Sequence, residues 1–266
     1  MRIYCCQLDI AWENKTANFK RVSALLDSAR PEKGSLVVLP EMFPSGFSMN
    51  VPSIREGQPS ETATFLNRTA QDLGVFIMAG LVTEGVDGRG RNQSVVISPE
   101  GCELARYSKM QPFTLGEESK HYNPGSEIVT FSWGGFTCAP FICYDLRFPE
   151  LFRAAAWRGV QLFVVIANWP VKRIGHWVTL LQARAIENLA YVVGVNRAGD
   201  DPKFQYTGRS LIVNPHGEII ADAGEKEGVV STDVTVEAVI SWRRDFPALE
   251  DMKRVRLTLQ PGGIAG

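Results

Sequence analysis

An α/β layered fold is predicted for this chain of 266 residues, on three observations. Its apolar runs are short and rich in β-branched residues, as buried strands are. Stretches with apolar residues three and four apart lie between several of these runs, as amphipathic helices do. That alternation builds sheets covered by helices. In one place three strand-like runs follow one another with no helix between them. The sheet is therefore expected to be mixed, not uniformly parallel.

The elements follow in order. Strands are expected at residues 2–8, 35–39, 75–81, 94–97, 102–107, 136–143, 161–166, 191–195 and 210–213. A helix is expected over 18–29, where Phe19, Val22, Leu25, Leu26 and Ala29 share one face. A second covers 61–73 through Phe65, Leu66, Ala70 and Leu73. A third, over 149–158, opens on Pro149, a residue suited to a first helical turn. A fourth covers 176–189. The uninterrupted strands are those at 75–81, 94–97 and 102–107. They are separated by the turn-rich stretch 84–92 and by Pro99-Glu100-Gly101. No repeat or linker divides the chain. A single domain over 1–266 is expected, with the segment after about 247 forming an arm against a neighbouring subunit.

Composition narrows the function. The chain is 45% hydrophobic and 21% charged, the balance of a folded globular protein. It carries 28 basic and 29 acidic residues, a net charge of −1. No electrostatic footprint for nucleic acid or an anionic membrane follows. The opening residues have no signal-peptide pattern, and no window approaches the roughly 20 apolar residues of a membrane span. A cytoplasmic location is expected. Cys5, Cys6, Cys102, Cys138 and Cys143 are odd in number and lack zinc-site spacing. The default reading of each is a small buried hydrophobe.

Cys143 departs from that default. It ends a strand and precedes a helix, and reactive groups gather at such strand ends in α/β sheets. Backbone N–H groups in that turn can stabilise an oxyanion. A cysteine nucleophile also needs a base or a cation. His176 is one candidate, although its place beside Trp177 at a helix start also fits a packing role. Glu41 is another. It directly follows a buried-looking strand, where a carboxylate is costly without a partner and where burial would suit it to general-base work. Lys109 follows a further strand, a position where lysines are usually solvated.

Together these residues form a pattern. Pro40-Glu41-Met42-Phe43-Pro44-Ser45-Gly46-Phe47, then Tyr107-Ser108-Lys109, then Ile142-Cys143-Tyr144-Asp145-Leu146-Arg147-Phe148-Pro149-Glu150 resembles the nitrilase, or carbon–nitrogen hydrolase, superfamily. The likeness covers about nine tenths of the chain, continuing through 183–188, 195–197 and 214–217. It implies a four-layer α-β-β-α sandwich and a Glu41–Lys109–Cys143 triad. It also implies a further glutamate at Glu118, with adjacent Glu117 as the rival. No metal, nucleotide or organic cofactor is implied, and relatives commonly form homodimers. Met110-Gln111-Pro112-Phe113 departs from the family's usual sequence after the lysine, which puts the pocket wall there in doubt.

Residues 42–50, Ala167-Asn168-Trp169-Pro170 and His176-Trp177 are most similar to the bacterial omega-amidase branch. That branch hydrolyses the terminal amide of 2-oxoglutaramate or 2-oxosuccinamate. The expected partner is thus a small-molecule amide, neither nucleic acid nor membrane. The expected substrate contacts are Tyr144, Arg147, Asn168 and Trp169, with Lys172 and Arg173 as further cations on rim loops. An N-carbamoyl-amine hydrolase or nitrilase of the same superfamily, and an idle binding protein on this fold, remain as alternatives.

Overall fold

Every apolar run assigned above becomes a strand of one of two six-stranded sheets in the computed structural model, which describes residues 1–251. The first half of the chain forms β1 (Arg2–Gln7), α1 (Lys15–Ala29), β2 (Leu36–Val38), α2 (Val51–Ile54), α3 (Glu61–Leu73), β3 (Phe76–Glu84), β4 (Gly90–Ile97) and β5 (Glu103–Ser108). Next come α4 (Glu118–His121), β6 (Phe131–Trp133), β7 (Phe136–Ile142), α5 (Pro149–Ala156), β8 (Leu162–Ala167) and α6 (Ile174–Asn188). The chain continues with β9 (Tyr191–Asn196), β10 (Ala198–Asp200), β11 (Gln205–Thr207), β12 (Leu211–Val213), β13 (Ile219–Asp222), β14 (Gly228–Asp233) and α7 (Val236–Asp245).

Both sheets are mixed. The first has the order β14-β1-β2-β3-β4-β5, with β1, β2 and β3 parallel and the flanking pairs antiparallel. The second has the order β13-β12-β9-β8-β7-β6, with a parallel centre at β7, β8 and β9. Side-chain alternation along a strand then sorts the layers. Ile3 and Cys5 join Leu36, Val38, Met78, Val96 and Tyr107 in one apolar cluster with residues of the second sheet. Tyr4, Cys6, Val37 and Ile77 face the other way, onto Val22 and Leu26 of α1 and Leu66 and Ala70 of α3. The second sheet packs α5 and α6 through Phe152, Ala155, Leu181 and Ala185. The result is the four-layer α-β-β-α sandwich.

Local signals set the helix ends. The Asn14 side chain accepts from Ala17 N–H at 3.0 Å, and Ser60 Oγ accepts from Ala63 N–H at 3.0 Å. Gly74 closes α3 in the left-handed conformation that favours glycine. Among the described residues no helix is long and apolar enough to cross a membrane.

Several elements were not anticipated: β6, β10, β11, β13, β14, α2, α4 and α7. The β3–β4 hairpin is also longer than expected, so Asn92 lies in a strand and not in a turn. All five cysteines are free. Cys5, Cys6 and Cys138 are buried as expected, whereas Cys102 is exposed at the turn entering β5. Most of the expected C-terminal arm, residues 252–266, lies outside the described residues.

Candidate active site

The ends of β2, β5, β7 and β8 converge, and each delivers one polar side chain. Glu41 lies in the turn after β2 and is fully buried. Gly80 on β3 makes room for it. A Cβ there would stand 2.5 Å from Met42 N and 2.6 Å from Glu41 Cα. Gly80→Ala is therefore expected to push the Glu41 turn out of place. It should lower stability by about 1–3 kcal/mol and reduce turnover, as thermal melting and a turnover assay would show.

Lys109, just past β5, is 2% exposed. Its Nζ donates to Glu41 Oε1 at 3.0 Å and to Glu118 Oε2 at 2.8 Å. Burial works against the charge. Glu118, then Glu41, outweigh it and hold the ammonium well above the ordinary lysine pKa. Glu118 opens α4 and is fully buried, and it also accepts from Phe113 N–H at 2.6 Å. Glu117 instead pairs with Lys120 at the surface, so Glu118 is the glutamate brought into the cluster. Asn92, which the sequence analysis missed, donates to Glu41 Oε1 at 2.7 Å and to Glu118 Oε1 at 2.8 Å.

Asn168 ties this cluster to the cysteine. Its backbone N–H donates to Glu41 Oε2 at 2.8 Å, and its side-chain amide to the Glu41 carbonyl at 2.8 Å. Its own carbonyl oxygen lies 4.0 Å from Cys143 Sγ. Cys143 is half-buried and adopts φ +48°, a left-handed conformation unusual for a residue with a side chain. Such strain persists where the surroundings impose it. Here Asp145 does so. Its carboxylate accepts from Ile142 N–H at 3.0 Å, Gln111 N–H at 2.9 Å and the Tyr107 hydroxyl at 2.7 Å. Burial raises Asp145 to about 7, against the opposing influence of Lys109 and these donors.

Burial, then repulsion from Glu41, pushes the Cys143 thiol well above its ordinary pKa, and Lys109 offsets this only in part. That direction favours the neutral thiol over the thiolate, and a thiol in this setting would need a base to act as a nucleophile. His176 does not supply one. It is exposed, and its Nδ1 lies 3.2 Å from Arg147 Nη2.

The carbon–nitrogen hydrolase family model matches residues 2–244. The chain belongs to the carbon–nitrogen hydrolase family. It is 30% identical to the 2-oxoglutaramate amidase of Bacillus subtilis (strain 168), over 95% of this chain and 97% of that protein. It is 34% identical to the omega-amidase YafV of Escherichia coli (strain K12), over 97% and 98% of the two chains. Among solved structures it is similar to XC1258 of Xanthomonas campestris, described as a CN-hydrolase superfamily protein with an arsenic adduct in its active site. The two share 32% identity and a TM-score of 0.88, over 95% of this chain and 97% of that one.

In this carbon–nitrogen hydrolase Cys143 lines a cavity at these strand ends. Phe47, Phe113, Tyr144, Trp169, Phe204 and Tyr206 supply aromatic walls, and Asn168, Arg147 and Arg173 supply polar groups. The Arg147 guanidinium lies 4.8 Å from the Trp169 ring centroid, and that of Arg173 lies 5.4 Å from the Phe113 centroid. Among the described residues neither is within ion-pair distance of a carboxylate. Lys172 is exposed and does not line this cavity. Phe113 does, so the departure after Lys109 forms part of the wall. Phe204 and Tyr206, which no sequence motif marks, are brought over the pocket by the β10–β11 hairpin. Among the described residues no group of three or more His, Cys, Asp and Glu side chains is placed to hold a metal ion.

Proposed function

We propose that this hydrolase is an omega-amidase, cleaving the terminal amide of a short 2-oxo acid such as 2-oxoglutaramate or 2-oxosuccinamate. The observation that carries the mechanism is the buried Glu41–Lys109–Glu118 cluster, which Asn168 ties to Cys143. Glu41 takes the thiol proton as sulfur bonds to the amide carbon. Lys109 and the Tyr144 backbone N–H stabilise the developing oxyanion. Glu41 returns the proton to nitrogen, the C–N bond breaks, and ammonia leaves. Water then hydrolyses the thioester, with Glu41 again as base, and the carboxylic acid departs. Glu118 holds Lys109 in place. A side chain or backbone group of the chain handles each proton and charge. The enzyme is proposed to work as a cytoplasmic homodimer.

The substrate reading rests on the pocket and on the relatives named for such amides. Aromatic walls exclude water from the acyl chain, while Arg147 and Arg173 offer guanidiniums to a carboxylate at its far end. Ammonia release from a panel of 2-oxoglutaramate, 2-oxosuccinamate, an N-carbamoyl amine and a nitrile tests it. The 2-oxo acid amides should turn over fastest, and a fastest carbamoyl or nitrile substrate overturns the reading. Arg173→Ala should raise KM for the acidic amides about 10- to 100-fold. It should leave KM for a neutral amide of the same length unchanged.

A further inference from the structure

Asn92 belongs to none of the sequence motifs, yet it sits at the centre of the charge cluster. We infer that Asn92 is a positioning residue for the reaction: its one amide NH2 group bridges both buried carboxylates and holds them aligned around Lys109. This rests on the reading of Glu41 as the base.

The fold aims the side chain. Along β4, Asn92 and Val96 lie on the same face by strand alternation, and Val96 belongs to the cluster that joins the two sheets. The Asn92 backbone carbonyl accepts from Lys109 N–H at 2.9 Å, which fixes the residue against the lysine it serves. Asn92 is 2% exposed. Both of its side-chain hydrogen bonds go to carboxylates, Glu41 Oε1 and Glu118 Oε1. Lys109 Nζ meets the same two oxygens, at 3.0 Å and 3.1 Å. The remaining oxygen of each carboxylate accepts from a backbone N–H, that of Asn168 for Glu41 and that of Phe113 for Glu118.

A space-filling role does not account for this residue. Asn92 Oδ1 is buried without a hydrogen-bond partner among the described residues. An apolar side chain of similar size would avoid that penalty. What asparagine adds is the pair of N–H groups. They matter because two carboxylates crowd one buried ammonium, and the shared donor fixes where each of them sits. Without it Glu41 loses one of the contacts that hold its carboxylate in place to accept the Cys143 proton. Asn92 does not line the substrate cavity, so the loss should fall on kcat and not on KM.

The test uses Asn92→Ala and Asn92→Ser, with thermal melting to confirm folding. Glu41→Gln serves as the reference for loss of the base. In Asn92→Ala kcat should fall at least about tenfold, while KM should stay within about twofold. Asn92→Ser retains one donor and should lose less kcat; if the alanine variant does not fold, the serine variant is judged against wild type. A folded alanine variant that keeps wild-type kcat while Glu41→Gln is inactive overturns the proposal, as does a loss that falls on KM. Full turnover by Glu41→Gln refutes Glu41 as the base and overturns the proposal with it.

Discussion

Lys109→Met is expected to cost both turnover and stability. Losing one oxyanion donor typically lowers the rate about 10²–10³-fold. Lys109 also neutralises two carboxylates that are themselves buried, Glu41 and Glu118. Removing one partner of a buried ion pair destabilises by about 3–5 kcal/mol. The variant should therefore melt well below wild type. A variant that melts like wild type would show that the charge cluster does not contribute to the fold.

Glu41→Gln is expected to separate thiol acidity from catalysis. Loss of a general base costs about 10²–10⁴-fold in rate, and both halves of the proposed cycle use Glu41. Yet Glu41 is itself one reason the Cys143 pKa is high, second only to burial. Replacing it by neutral glutamine lifts that repulsion while Lys109 stays, so the thiol should become more acidic. Iodoacetamide at neutral pH should then alkylate Cys143 at least as fast in the variant as in wild type, while ammonia release collapses. Peptide mapping is needed to read this, because Cys102 is exposed and open to the reagent as well. Parallel loss of alkylation and turnover would mean that Glu41 maintains the thiolate and does not act as a base within the cycle.

These expectations rest on residues that were unequally visible in the sequence. Buried central strands such as Leu162–Ala167 are continuous apolar runs, and amphipathic helices such as Glu61–Leu73 carry a clear period. By contrast, β14 is half-buried up to Thr232 and exposed at Asp233, and α7 fully buries Val239 alone, so neither shows a strong pattern. The pairing of β14 with β1 joins opposite ends of the chain, which no local signal encodes. The site followed the same logic. Glu41, Lys109 and Cys143 stand at strand ends within distinctive motifs. Asn92 was hidden because a turn-rich stretch ran into β4 and an isolated asparagine reads as a turn residue. Phe204 and Tyr206 reach the pocket from a short hairpin whose placement is tertiary. Glu118 and Glu117 were inseparable until the φ of +62° at Glu117 turned one inward and left the other in solvent.

The most direct test of the central claim is to trap the covalent intermediate. The wild-type enzyme is incubated with 2-oxoglutaramate, quenched in acid and digested, and the peptides are weighed. One acyl group, equal in mass to the substrate less ammonia, is expected on the peptide carrying Cys143, and none in Cys143→Ala. An acyl group on another residue, or full ammonia release by Cys143→Ala, would contradict it.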